Sequence, residues 1–147
     1  MTTEKILFPT DFSVPSNAAL DTAISVARDR KATLLIAHCE ETPVVYSGDL
    51  GYAAAVPSDV ELQAALRSLK DKVRGVSCET RLIHGLPWQG IVGLAEKEDA
   101  SLIVMGTHGR TGIMHVLMGS VAEAVVRHAH CPVLTIRQPE RVPATTS

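Results

Sequence analysis

Very little of this 147-residue chain is aromatic: Phe, Trp and Tyr together make up 3% of it. Leu, Ile, Val and Ala therefore have to fill whatever core it buries. Cysteine is sparse too. Cys39, Cys78 and Cys131 form no CxxC pair and stand far apart, the spacing of neither a disulfide framework nor a zinc site. Ordinary reduced thiols in or near strands are expected. Long apolar runs are missing, since the segment before Pro9 has only Ile6, Leu7 and Phe8. A signal peptide needs more than that, and a membrane span needs about twenty apolar residues. A cytoplasmic location with no membrane partner is expected. Charge of one sign is not in excess either. A formal net charge of −2 and no basic arm argue against a nucleic-acid partner held through counterion release. HExxH, a persuasive Ser-His-Asp order and a Walker lysine are all absent.

What is present is a regular alternation of short apolar runs and longer helical patterns, the mark of βαβ units around a mostly parallel sheet. The length suits one domain with a sizeable core. Strands are predicted at Lys5–Pro9, Thr33–Cys39, Val76–Ile83, Leu102–Met105 and Val133–Ile136. The second and fourth are almost wholly apolar, as strands buried on both faces are. Val76–Ile83 alternates apolar and polar residues and belongs at a sheet edge. Helices are predicted from about Ser16 to Arg30, from Ser58 onward, over about Pro87–Glu98 and over Ser120–His130. Ser58-Asp-Val-Glu61 is a capping box that opens the second, whose stripe is Leu62, Leu66, Leu69 and Val73. The third turns Trp88, Ile91, Leu94 and Ala95 inward. Residues 41–57 show no period and read as a long loop, either a mobile lid or a plain surface excursion. A domain over residues 1–138 and a flexible tail over 139–147 follow.

The chemistry concentrates in two places. Gly106-Thr-His-Gly109-Arg110 to Gly119-Ser120 runs from the carboxyl end of an apolar strand to the start of a helix. Glycines there allow positive φ and a close approach to bare N–H groups. The helix start adds unpaired donors and a dipole that favours an anion, so a phosphate chain is the natural occupant. Ser120-Val-Ala-Glu123 is itself a capping box, and taken alone the Ser120 hydroxyl is better read as a cap than as a phosphate ligand. The second place is Pro9-Thr10-Asp11 at the end of the first strand. Asp11 alone reads as a turn or cap residue, yet such a carboxylate also suits a ribose or base. His108, Arg110 and His115 sit where they could touch phosphate. His128 and His130 are expected to cap the last helix, and His38 to be a hydrogen-bonded core residue.

With those residues in view, the chain resembles the universal stress protein family. Gly106-x2-Gly109-x9-Gly119-Ser120 matches that family's nucleotide-binding motif. Lys5-Ile-Leu-Phe-Pro-Thr-Asp11-Phe-Ser, Val104-Met-Gly-Thr-His-Gly-Arg-Thr-Gly112, Gly119-Ser-Val-Ala-Glu123 and His130-Cys-Pro-Val-Leu134 extend the likeness from Lys5 to Arg137. The resemblance implies an α/β, Rossmann-like fold: an open five-stranded parallel sheet of order 3-2-1-4-5 with helices on both faces. It also implies an ATP site. Asp11, with Pro9 and Thr10 beside it, would meet the ribose and base. Cys39 would line the adenine pocket, where the family usually has a small apolar residue. Met105 and Gly106 would pass beneath ribose and phosphates. Gly109, Gly119, Ser120 and Val121 would hold the phosphate chain, with Mg²⁺ bridging it.

Three functions compete on this reading. The first is an ATP-dependent regulatory protein of the stress response with at most weak hydrolysis, and the second is a slow ATPase or ATP-using enzyme of the same α/β group. That enzyme class needs a Ser-Gly-Gly loop or a His-x-Gly-His pair, where this chain has Pro9-Thr-Asp-Phe-Ser13. The third is an interaction module with an empty pocket, which the complete glycine motif disfavours. A homodimer through the last strand is expected, because Val133-Leu-Thr-Ile136 is short, apolar and at an edge. The downstream partner has no signature in the sequence.

Overall fold

The structure, a computed structural model, describes residues 3–41, 56–108 and 118–137. Five strands, β1 (Lys5–Pro9), β2 (Thr33–Glu40), β3 (Cys78–His84), β4 (Leu102–Gly106) and β5 (Val133–Ile136), pair in parallel in the order β3-β2-β1-β4-β5. Helices α1 (Val14–Ala18), α2 (Leu20–Arg30), α3 (Asp59–Lys70), α4 (Pro87–Lys97) and α5 (Ser120–His128) connect them. The loop predicted at 41–57 falls almost wholly outside the described residues, as do Gly109, Arg110, His115 and the tail beyond 138.

The central strands are buried on both faces, so each supplies two cores. Ile6, Phe8, Leu34 and Ile36 point to one side and pack with Ala23, Ala27, Leu66 and Leu69 of α2 and α3. Leu7, Leu35, Ala37 and Ile103 point to the other and meet Ile91, Leu94, Ala95 and Val125 of α4 and α5. Truncating a fully buried leucine such as Leu35 or Leu66 would cost about 2–5 kcal/mol.

Several local expectations needed correction. The first predicted helix begins earlier and is broken in two. Ser13 Oγ accepts the Ser16 N–H at 3.3 Å and Pro15 lies in the first turn, which moves the start to Val14. At Ala19 the N–H bonds Ser16 O at 3.1 Å, and that tighter turn separates α1 from α2. β2 runs on to Glu40, and β3 shifts to Cys78–His84 to stay in register with it (Leu34 opposite Cys78, Glu40 opposite His84). The last helix ends at His128, where Ala129 turns extended and leads the chain into β5. His130 caps nothing; its Nε2 lies 2.8 Å from Glu96.

At the β3 edge the expected alternation is muted, since Cys78 through Ile83 are all half-buried. Arg81 reaches Glu98 at 3.1 Å, and Lys5 meets the same carboxylate at 2.6 Å. The Lys5 ammonium holds the Glu98 carboxyl below the usual carboxylate range. The three cysteines are free thiols. Burial pushes Cys78 up to about 11. Among the described residues no helix is long and apolar enough to cross a membrane.

Candidate functional site

The strand order reverses between β1 and β4: the chain steps outward to β2 and β3 on one side, then to β4 and β5 on the other. Connections leave these two strands in opposite directions, which opens a crevice at their carboxyl ends. A cavity of about 380 Å³ lies there, within the range of small-molecule sites. Pro9, Thr10, Asp11, Cys39, Met105, Gly106, Gly119, Ser120 and Val121, all singled out in the sequence, line it.

The β1 side is a turn wired through side chains. Thr10 Oγ1 accepts the Phe12 N–H at 2.9 Å and the Ser16 hydroxyl at 3.0 Å. Asp11 Oδ1 accepts the Ser13 N–H at 2.9 Å, an Asx turn, and Ser13 in turn caps α1. Phe12 takes a left-handed φ of 66° in the middle of this turn, uncommon for a bulky residue and a feature that gathers at functional turns. Asp11 thus serves the turn and faces the crevice at once.

The β4 side is built from backbone. Gly106 is closely approached, because a Cβ there would lie 3.2 Å from the Pro15 carbonyl oxygen at the start of α1, tight enough that the neighbouring backbone would have to give. After the undescribed stretch, the Gly119 N–H donates to Thr107 O at 2.5 Å and anchors the return to α5. Gly119 is the N-cap of α5, and it has no side chain to cap with. Ser120 is the first helical residue. The expected capping by its hydroxyl is therefore wrong: the Glu123 N–H bonds Gly119 O at 3.0 Å, one residue earlier than the capping box proposed. The first-turn N–H groups of Ser120, Val121 and Ala122 begin the helix without intrahelical partners, and these three residues line the cavity.

Cys39 closes the floor between the two sides. Its Sγ packs where Gly90 of α4 lacks a side chain; a Cβ at 90 would come within 2.6 Å of it. Burial, then the charges of Glu40 and Glu41, hold the thiol above its ordinary pKa. His38 is buried and hydrogen-bonded, as expected of it.

Several lining residues were missed: Ser16, Glu40, Glu41, Pro87, Ile91, Thr107 and Ala122. Pro87 and Ile91 were within reach of the sequence. A right-handed crossover from β3 to β4 puts the start of α4 at the same end of the sheet as the ends of β1 and β4.

The profile of the universal stress protein family matches residues 2–137. A universal stress protein of Methanocaldococcus jannaschii is 36% identical over 151 residues, covering 94% of this chain and 84% of that protein. A solved universal stress protein in complex with cAMP is 27% identical, has a TM-score of 0.71 and covers 93% of this chain and 98% of its own. One from Archaeoglobus fulgidus in complex with dAMP is 25% identical, with a TM-score of 0.66 and coverage of 92% and 98%.

Proposed function

The chain belongs to the universal stress protein family, and we propose that it binds ATP in the crevice between β1 and β4 as a nucleotide-dependent regulatory protein of the stress response. The observation that carries this reading is the pairing of two unlike surfaces across one cavity. Thr10, Asp11 and Cys39 offer a polar turn and a soft floor suited to ribose and base. Gly106, Gly119 and the first turn of α5 offer bare backbone and a helix N-terminus suited to phosphate. Two similar proteins solved with adenine nucleotides support the ligand class. Among the described residues no three His, Cys, Asp or Glu side chains converge on a metal position. Mg²⁺ would therefore arrive on the phosphate oxygens, as it commonly does.

The test is native mass spectrometry of freshly purified protein, followed by calorimetry with ATP. An adenine nucleotide carried through purification and a dissociation constant in the micromolar range, about −8 kcal/mol, are expected. No binding at millimolar ATP would end the reading.

The unit that binds is residues 1–138, and it pairs with a second copy through β5. Among the described residues that strand pairs with β4 alone and stands at the edge of the sheet. Leu134 is 38% exposed, and Val126 of α5 is exposed as well. Two copies meeting about a two-fold axis would pair both edges in one isologous contact. Light scattering at tens of micromolar should give a dimer mass for the natural chain and a monomer mass for Leu134→Lys. A monomer for the natural chain would overturn the pairing.

A further inference from the structure

His38, 3% exposed, sits between two hydrogen-bond acceptors. Its Nδ1 lies 2.7 Å from the carbonyl oxygen of Thr10, and its Nε2 lies 2.5 Å from Oε2 of Glu40. A carbonyl has no hydrogen to give, so Nδ1 donates. A carboxylate has none either, so Nε2 donates too unless Glu40 is itself protonated. In either case the pair holds one proton more than a neutral imidazole and a carboxylate hold between them. The Phe12 ring, with its centroid 4.5 Å from that of His38, adds an aromatic surface that suits a cationic partner.

We infer that His38 and Glu40 form a proton-holding pair that positions the Thr10 turn, so that nucleotide binding weakens when the shared proton is lost as pH rises. The inference rests on the nucleotide reading above. Thr10 is the hub of the β1 side: its N–H donates to Ala37 O at 2.8 Å, its hydroxyl takes two hydrogen bonds, and its carbonyl takes the third partner from His38. Without the proton, a lone pair on Nε2 would confront a carboxylate oxygen at hydrogen-bond distance, and the two repel. Glu40 is the partner with solvent to turn towards, its side chain being 15% exposed against 4% for His38. It also lines the cavity, where its charge would join Asp11 and Glu41 facing an anionic ligand.

Other ionisable groups stand on the elements around the ring: Asp11 in the β1–α1 turn, Asp21 at the start of α2, Asp59 and Glu61 at the start of α3, and His84 opposite Glu40 on β3. Asp59 is held by His84 at 3.1 Å, and Asp11 takes the Ser13 N–H. Glu40→Gln separates the pair from all of them. The amide NH₂ of glutamine donates to a bare Nε2, so the contact survives with no extra proton.

Two measurements decide the matter. Nitrogen and side-chain carboxyl-carbon NMR of labelled, nucleotide-free protein should show the natural pair carrying the extra proton at about pH 6, as hydrogen on both ring nitrogens of His38 or as a protonated Glu40 carboxyl beside a bare Nε2, and hydrogen on one ring nitrogen alone in Glu40→Gln. ATP affinity should then fall about tenfold more in the natural chain than in Glu40→Gln between about pH 6 and about pH 9, the size expected of one added charge near the ligand in a partly screened site. Comparing the two slopes removes the titration of ATP itself. A bare nitrogen on His38 beside an ionised Glu40 carboxylate throughout that range, or equal slopes in the two proteins, would overturn the inference. If ATP binds neither protein, the nucleotide reading fails, and the ring-nitrogen and carboxyl spectra still decide whether the pair holds its proton.

Discussion

The turns that follow β1 and β4 face each other across one crevice and are made in opposite ways. After β1, polar side chains consume the local backbone donors: Thr10 takes the Phe12 N–H, Asp11 that of Ser13, and Ser13 that of Ser16. After β4, glycine stands at Gly106 and at the N-cap Gly119, and no side chain of the N-cap reaches the first turn of α5. The first turn is finished before any ligand arrives. Among the described residues the second shows no such side-chain cap. On the nucleotide reading proposed above, the β1 side would set shape in the crevice and the β4 side would meet the anion, and variants on the two sides should fail differently.

The largest effect is expected at Gly119. Its φ of −69° and ψ of 163° are extended backbone that any residue adopts, so Gly119→Val should fold, at a cost of about 1 kcal/mol for the poorer N-cap. The added methyl groups would stand over the N–H groups proposed to meet phosphate. Calorimetry should show ATP affinity reduced at least about a hundredfold. Unchanged affinity would remove the β4 side from the binding site.

Asp11→Ala comes next and should fail on two counts. Losing a carboxylate hydrogen bond to the nucleotide would weaken binding by about 1.5–3 kcal/mol, and losing the Asx turn would lower the melting temperature as well. A melting temperature that falls while affinity holds would leave Asp11 with its turn role alone. That result would sharpen the contrast, because the β1 side would then be purely structural.

How much of this could be read beforehand differs along the chain. The core strands came through because Leu34–Ala37 and Leu102–Met105 are apolar without interruption, as doubly covered strands are, whereas the strand order came from the family resemblance and not from any local pattern. The start of α3 came through because the Ser58 hydroxyl does accept the Glu61 N–H, at 3.2 Å. The start of α5 did not. Gly119 and Ser120 both suit an N-cap by type, and the choice depends on where the chain is pinned by the long-range bond from the Gly119 N–H to Thr107 O. No local pattern encodes that bond. The contact between His38 and Glu40 was likewise out of reach. Two residues apart on a strand share a face, but the carbonyl that completes the pair belongs to Thr10 on the neighbouring strand's turn.

The smallest effects come from a matched pair of serines, each at the start of a helix, and they test the comparison most directly. Ser13 caps α1 with its hydroxyl. Ser13→Ala should therefore destabilise the protein by about 1 kcal/mol and shift ATP affinity only as far as the turn loosens. Ser120 is the first residue of α5 and caps nothing in that helix. Its side chain is exposed at the cavity wall, so Ser120→Ala should leave stability within about 0.5 kcal/mol. If the hydroxyl meets a phosphate oxygen, the same variant should weaken ATP binding by about 0.5–1.5 kcal/mol, the net worth of one hydrogen bond. Thermal denaturation and calorimetry on both variants give four numbers, and the expected pattern is crossed: stability lost at Ser13, affinity lost at Ser120. Parallel losses in both variants would mean that the two turns do the same work, and the division between a finished side and an open side would fall.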